Sequence, residues 1–169
     1  MFPHQESSKP TIPTILRFLC YLTMFGSIYM VLTSISGLSN PEAVSQAMNK
    51  SIGEFQNFFQ QSLGKDPASE EKFEEIMRDL SYANTAGNMR DNSFFILISN
   101  VLTLSGAWLM LRLRKKGFHL YFLGNIIGVI APLLVFGSDN FLGLSYAWFT
   151  AITGGLFVIL YALKIKYMH

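Results

Sequence analysis

Four stretches of this chain, residues 14–36, 93–111, 118–135 and 142–163, are apolar almost without interruption, and the polar positions collect between and beyond them. Each run is close to the roughly 20 residues that a helix needs to cross a hydrocarbon core about 30 Å thick. Arg17 is the one charge inside them, near enough to a span end to extend into the headgroups. A soluble bundle would carry charges at helical spacing on its outer faces, so the pattern predicts an all-helical membrane protein with four transmembrane helices.

Residues 38–92 have a different period. Val44, Met48, Ile52, Phe55, Phe59 and Leu63 recur at steps of three and four with Phe58 beside them, opposite a face of Gln, Asn, Glu and Lys. That spacing predicts an amphipathic helix, with Asn40 and Pro41 suited to its start and Gly64 to its end. Asp66 and Pro67 open a second helix, in which Phe73, Ile76, Met77 and Leu80 form the apolar stripe and Glu70, Glu71, Glu74 and Glu75 a solvated face. The stretch "NTAGNMRDN", residues 84–92, is expected to be a hinge or loop leading into the second span. The two helices are predicted to form an extracytoplasmic hairpin that caps the bundle. Phe55, Phe58 and Phe59 are its candidate anchors for a partner groove.

Charge adds orientation. The tail 1–13, Arg17, the basic turn 112–117 and the tail 164–169 together hold eight cations against one anion, and the turn alone supplies Arg112, Arg114, Lys115 and Lys116. Residues 38–92 and the short turn 136–141 hold five cations against ten anions, leaving the chain at +2. The positive-inside rule then predicts that both termini and the basic turn are cytoplasmic. The turn is too short and too membrane-bound to read as a nucleic-acid patch, and no nucleic acid is expected as a partner.

Composition agrees with a bilayer as solvent: half the residues are apolar, 14% are aromatic and 14% charged. The single cysteine, Cys20, excludes an intramolecular disulfide. The first apolar run is longer than the roughly 7–15 residues of a secretory signal core, so it is expected to be a retained span.

Within the spans, small and polar residues mark where helices can meet. Gly124, Gly128 and Pro132 in the third span, and Ala147, Ala151 and Gly155 in the fourth, repeat at steps of four. Such stripes allow close backbone approach and are expected to bind another membrane protein. Asn100 and Asn125 are intramembrane amides that sit about 10 Å from opposite boundaries by helical rise, so no direct bond between them is expected. The same count puts Thr150 near Asn100, and Thr23, Ser105 and Thr153 near Asn125; each amide should bond one of these hydroxyls or backbone.

No carboxylate, lysine, arginine or histidine stands at mid-depth, and His4, His119 and His169 lie in the tails or at a span edge. A proton relay or an ion-coupled transporter would need such groups inside the membrane. No catalytic residue, metal or cofactor is therefore expected. The stretch "LRLRKKGFHLYFLGN" and the layout of one span, a polar helical segment and three closely spaced spans resemble uncharacterised small four-helix bacterial inner-membrane proteins of the Bacteroidota type. The resemblance implies an inner-membrane location and no particular activity.

The expected function is that of a non-catalytic accessory or scaffold subunit in the lipid bilayer, bound to another membrane protein or to its own copies. The alternative is a small carrier or channel for a neutral or lipid-like solute, with Asn100, Asn125, Thr150 and Thr153 along its path.

Overall fold

The computed structural model describes residues 13–62 and 67–165, with the side chains at 59–62 and 67–70 outside the description. Residues 1–12 and 166–169 of the tails, Leu63, Gly64 and Asp66 of the turn, and the side chains of Phe59 and Glu70 thus lie outside the described residues. Among those described there are six helices and no strand: α1 (Thr14–Ser39), α2 (Pro41–Ser62), α3 (Pro67–Ala83), α4 (Ala86–Leu111), α5 (Lys116–Phe136) and α6 (Phe141–Ala162). Four of them, α1, α4, α5 and α6, are long and apolar enough to cross a membrane. Their surfaces are inverted relative to a soluble bundle. Phe18, Phe25, Leu134, Phe149 and Ile152 face outward, whereas Ser27, Ser34, Asn92, Ser99 and Thr103 are buried. Lipid solvates the first set and excludes the second, so the chain is an integral membrane protein.

The spans stand in a row rather than a closed ring. α4 packs against α1 on one side and α5 on the other, α6 packs against α5, and α1 and α6 do not pack along their lengths.

The α4–α5 pair is the tightest contact, and it begins at the basic turn. The Leu113 N–H donates to the Met110 carbonyl at 2.9 Å and the Arg114 N–H to the Leu109 carbonyl at 3.0 Å, the two bonds of a Schellman ending. Its left-handed position, usually glycine, is Leu113 with φ 56°. That conformation costs a leucine about 1–2 kcal/mol. Burial offsets it: Leu113 is 9% exposed in a cluster with Leu16, Leu19, Cys20, Met110, Tyr121 and Tyr161, and burying a leucine is worth about 1.5–3 kcal/mol.

Beyond the turn the two backbones nearly touch. A Cβ on Gly106 would lie 2.6 Å from the Tyr121 nitrogen and 2.7 Å from the Gly117 oxygen; one on Gly124 would lie 2.7 Å from the Ser99 oxygen. A Cβ on Gly128 would come within 3.0 Å of Ser99 Oγ and 3.2 Å of Thr150 Cγ2. Gly124 and Gly128 thus serve contacts within this chain, to α4 and to α6, and Ala147 is buried as well. A step of four fixes a helix face but not its neighbour, which is why periodicity could not assign the contact.

A correction concerns residues 84–92. Only Asn84 and Thr85 lie between helices: Thr85 Oγ1 accepts the Asn88 N–H at 3.2 Å, and α4 runs unbroken from Ala86, seven residues ahead of the apolar run. The polar residues here look like a linker, yet the cap and the burial of Met89 and Asn92 hold them helical.

Outside the spans, α2 rests on α4 and α3 on α6, with little contact between the two outer helices. Val44, Met48 and Leu80 pack on a cluster of Ala83, Met89, Phe136 and Leu142, so the amphipathic stripes cap the bundle. Polar bonds fix the cap. Asn84 Nδ2 donates to the Ser45 carbonyl at 2.8 Å and to Asn49 Oδ1 at 2.7 Å, and Ser45 Oγ donates to the Asn84 carbonyl at 2.8 Å. Asn140 joins α3 to α6, with Nδ2 donating to the Asp79 carbonyl at 3.1 Å and Oδ1 accepting the Leu142 N–H at 2.9 Å.

Candidate intramembrane binding cavity

The polar positions of all four spans converge on one cavity of about 410 Å³. α1 contributes Thr23, Gly26 and Ser27; α4 contributes Asn92, Ser99, Asn100 and Thr103; α5 contributes Tyr121, Asn125 and Pro132; α6 contributes Thr150, Thr153 and Gly154. The α4 set is written along one face, because Asn92, Ser99 and Gly106 fall at steps of seven with Ile96 and Thr103 between them. From Asn92 to Thr103 the helix rises about 16 Å, half the hydrocarbon thickness.

The cavity has closed ends and an open side. At the basic-turn end the cluster around Leu16, Met110, Tyr121 and Tyr161 seals it, with Thr23 Oγ1 hydrogen-bonded to the Tyr161 hydroxyl at 2.8 Å. At the other end the Met89, Phe136 and Leu142 cluster lies under the α2–α3 cap. The exposed members of its wall come from α1 and α6: Leu22, Gly26 and Met30 on one, Tyr146, Phe149 and Thr153 on the other. Those from α4 and α5 are buried or half-buried. The mouth is therefore a cleft between α1 and α6 that faces lipid.

Several donors in the wall are spent on the protein. Ser27 Oγ and Thr103 Oγ1 are hydrogen-bonded at 3.0 Å, joining α1 to α4, and Ser99 Oγ donates to the Gly124 carbonyl at 2.8 Å. Asn100 Nδ2 donates to the Ile96 carbonyl at 2.8 Å, Asn125 Nδ2 to the Tyr121 carbonyl at 2.9 Å, and Thr153 Oγ1 to the Phe149 carbonyl at 2.7 Å. Both amides thus bond backbone of their own helix, one of the two outcomes expected. Acceptors remain. Asn92 is 8% exposed and its Oδ1 receives no hydrogen bond among the described residues. Pro132, inside α5, has no N–H to return to the Gly128 carbonyl.

Of the other expected positions, Asn100, Asn125, Thr150 and Thr153 are brought together in this cavity, while Ser105 is exposed on another face of α4. Asn125 abuts Gly154, where only a hydrogen leaves room for the amide. Ala151 and Gly155 line a separate outer groove of about 260 Å³ with Phe122, Ile126 and Val158. Phe55 meets the Phe73 ring at 6.1 Å between centroids, and Phe58 is 65% exposed. Arg112 stacks over the Trp108 ring at 5.1 Å, while Arg114, Lys115 and Lys116 are exposed around the turn. The polar neighbours of Asn92 imitate a loop and conceal it in the sequence; its step of seven to Ser99 is the signal that points to it.

Fold and site together define a class: a four-span integral membrane protein with a polar, uncharged cavity open sideways to lipid. No family model, curated protein or solved structure matches this chain.

Proposed function

We propose that this protein is a non-catalytic membrane protein that takes a neutral, lipid-like solute from the bilayer into its intramembrane cavity. The observation that carries this reading is the cavity itself, lined by hydroxyls and amides of all four spans, without a charged side chain, and entered between α1 and α6. A charged ligand would meet no counter-ion there, and burying it unpaired would be prohibitive. The hydrophobic clusters at both ends favour a carrier or binding protein over a channel, because a pore needs a polar route along the membrane normal. The test is to purify the full chain in its native lipids, extract what remains bound, and compare it with the surrounding membrane. A specific neutral species at about one per chain supports the reading; bulk lipid composition refutes it.

For orientation we infer an inner membrane with the basic turn and both termini cytoplasmic, on the charge asymmetry between the two sides. A Ser138→Cys variant should react with a membrane-impermeant maleimide from outside the cell, and a Lys115→Cys variant should not. The opposite pattern would invert the topology. Both are read in a Cys20→Ala background.

The accessory-subunit reading is second, favoured by the exposure of Phe58 and by the outer groove at Ala151 and Gly155. Photo-crosslinkers at Phe58 and Ala151 should then capture the same heterologous membrane protein. Capture of lipid alone at both sites removes this reading.

A further inference from the structure

Resting on the cavity reading above, we propose that Asn100 and Asn125 form a carbonyl site at mid-membrane depth, where a neutral lipid is held by an oxygen embedded in its hydrocarbon. The register of α4 on α5 brings the two amides level. A Cβ on Gly124 would meet the Ser99 oxygen and Thr103 Cγ2 at 2.7 Å and the Thr103 nitrogen at 3.1 Å, so Asn125, the next residue, stands beside the turn of α4 that carries Asn100. By helical rise from the basic-turn ends of the two helices, at Leu111 and Lys116, both amides are about 15 Å in, half of a hydrocarbon core about 30 Å thick. The ends of the apolar runs suggest different depths because α4 begins seven residues before its run does.

What the amides offer there is N–H. Each nitrogen donates once to a carbonyl of its own helix, Asn100 to Ile96 at 2.8 Å and Asn125 to Tyr121 at 2.9 Å, which fixes nitrogen against oxygen in both and leaves each a second N–H. The Thr150 hydroxyl, one turn nearer the cap than Gly154, has no hydrogen bond among the described residues, and the Tyr146 hydroxyl and Asn92 Nδ2 are unmatched there as well. Hydroxyls can serve in either sense, so the amides decide. Their oxygens do not balance the free N–H groups: Asn125 Oδ1 abuts Gly154 of α6 and Asn92 Oδ1 is sealed within protein, which leaves Asn100 Oδ1. The Gly128 carbonyl is directed along α5 at the Pro132 ring. Lipid tails supply no acceptor, and a donor left bare in hydrocarbon is costly. A ligand carbonyl supplies one, and unlike a phosphate or carboxylate it needs no counter-ion, of which the lining has none. Depth narrows the class further. A headgroup anchored at the interface does not reach the middle of the core, whereas a carbonyl within a long chain does. The class is therefore a neutral lipid without a headgroup that carries an internal carbonyl, a long-chain ketone or a wax-type ester.

The experiment uses the full chain in nanodiscs and a pair of photoreactive probes of equal chain length, a mid-chain ketone and its methylene counterpart, each with a diazirine at the same carbon. The ketone probe should label residues that line the cavity. Unlabelled ketone should compete about tenfold better than the matching alkane, the loss expected when a hydrogen bond to the carbonyl is removed. In the double variant Asn100→Leu, Asn125→Leu the two competitors should become equal. With the wild-type protein, the infrared carbonyl stretch of an isotope-labelled ketone should move to the lower frequency of a hydrogen-bonded carbonyl. That measurement needs no variant, so it decides the point even if the double variant folds poorly. Equal competition in the wild-type protein, with labelling still in the cavity, overturns the carbonyl site and leaves the cavity function standing. So does a preference that survives in the double variant, or an unshifted stretch. Absence of labelling by either probe overturns the site, and the cavity reading falls with it if the native-lipid extract holds no specific neutral species.

Discussion

Replacing Gly106 by leucine will remove the folded protein from the membrane. In an ordinary helix interior, a glycine gives way to a larger residue with a gain of up to about 1 kcal/mol. Here that preference is overruled. The first added carbon already falls 2.6 Å from the Tyr121 nitrogen and 2.7 Å from the Gly117 oxygen, and both are backbone atoms that cannot turn aside as a side chain would. The remaining atoms of leucine would force α4 and α5 apart, dissolving the contact on which α1 and α6 are both mounted. A loss of about 3 kcal/mol or more is expected. Helical signal followed against the mole fraction of sodium dodecyl sulfate in mixed micelles measures it. Gly155→Ala is the control: nothing lies within 4 Å of the added carbon, so its unfolding should occur at or slightly above the wild-type denaturant fraction. Equal unfolding of Gly106→Leu and wild type would mean that the two helices do not meet as described.

The second large effect separates folding from binding. Gly26 lies on the α1 side of the mouth, lines the cavity, and has nothing within 4 Å of an added Cβ. Gly26→Trp therefore begins in open space at the mouth, and its indole is expected to obstruct passage from lipid. Unfolding should stay within about 0.5 kcal/mol of wild type, while co-purifying neutral lipid falls by at least about tenfold. Gly53→Trp, also without a neighbour within 4 Å but on the outer helix α2, should retain wild-type lipid. Retention of lipid by Gly26→Trp would move the mouth elsewhere.

These expectations rest on features of unequal legibility. The four spans could be read directly, because a long apolar run has few stable alternatives to a membrane helix. The outer stripes were equally plain: Val44 and Met48 stand four apart on α2, Ile76 and Leu80 four apart on α3, and Val44, Met48 and Leu80 do meet the bundle. The beginning of α4 was hidden by Asn84, Asn88, Arg90, Asp91 and Asn92, whose polarity imitates a linker. What overrides it is the Thr85 cap and the burial of Met89 and Asn92. The site was half visible. Asn100, Asn125, Thr150 and Thr153 stood out as polar groups in apolar runs, but that they share one cavity depends on helix rotation and on which spans are neighbours. Sequence spacing leaves both open, and so it does not show that the small-residue stripe of α5 meets α4 and α6.

The Ser27–Thr103 bond has a consequence for how the chain is made. Its two halves come from the first and second spans, and the whole of α2 and α3 must be synthesised before they can meet. Until then Ser27 lacks its Thr103 partner, and a serine in a helix has the carbonyl four residues back as an alternative acceptor. Arrival of α4 exchanges that bond for one between helices, and the close turn at Leu113 then delivers α5 with it. Biogenesis thus proceeds by recruitment of a stored first helix. Its critical moment is the arrival of α4 after the long α2–α3 segment, not the insertion of any single span.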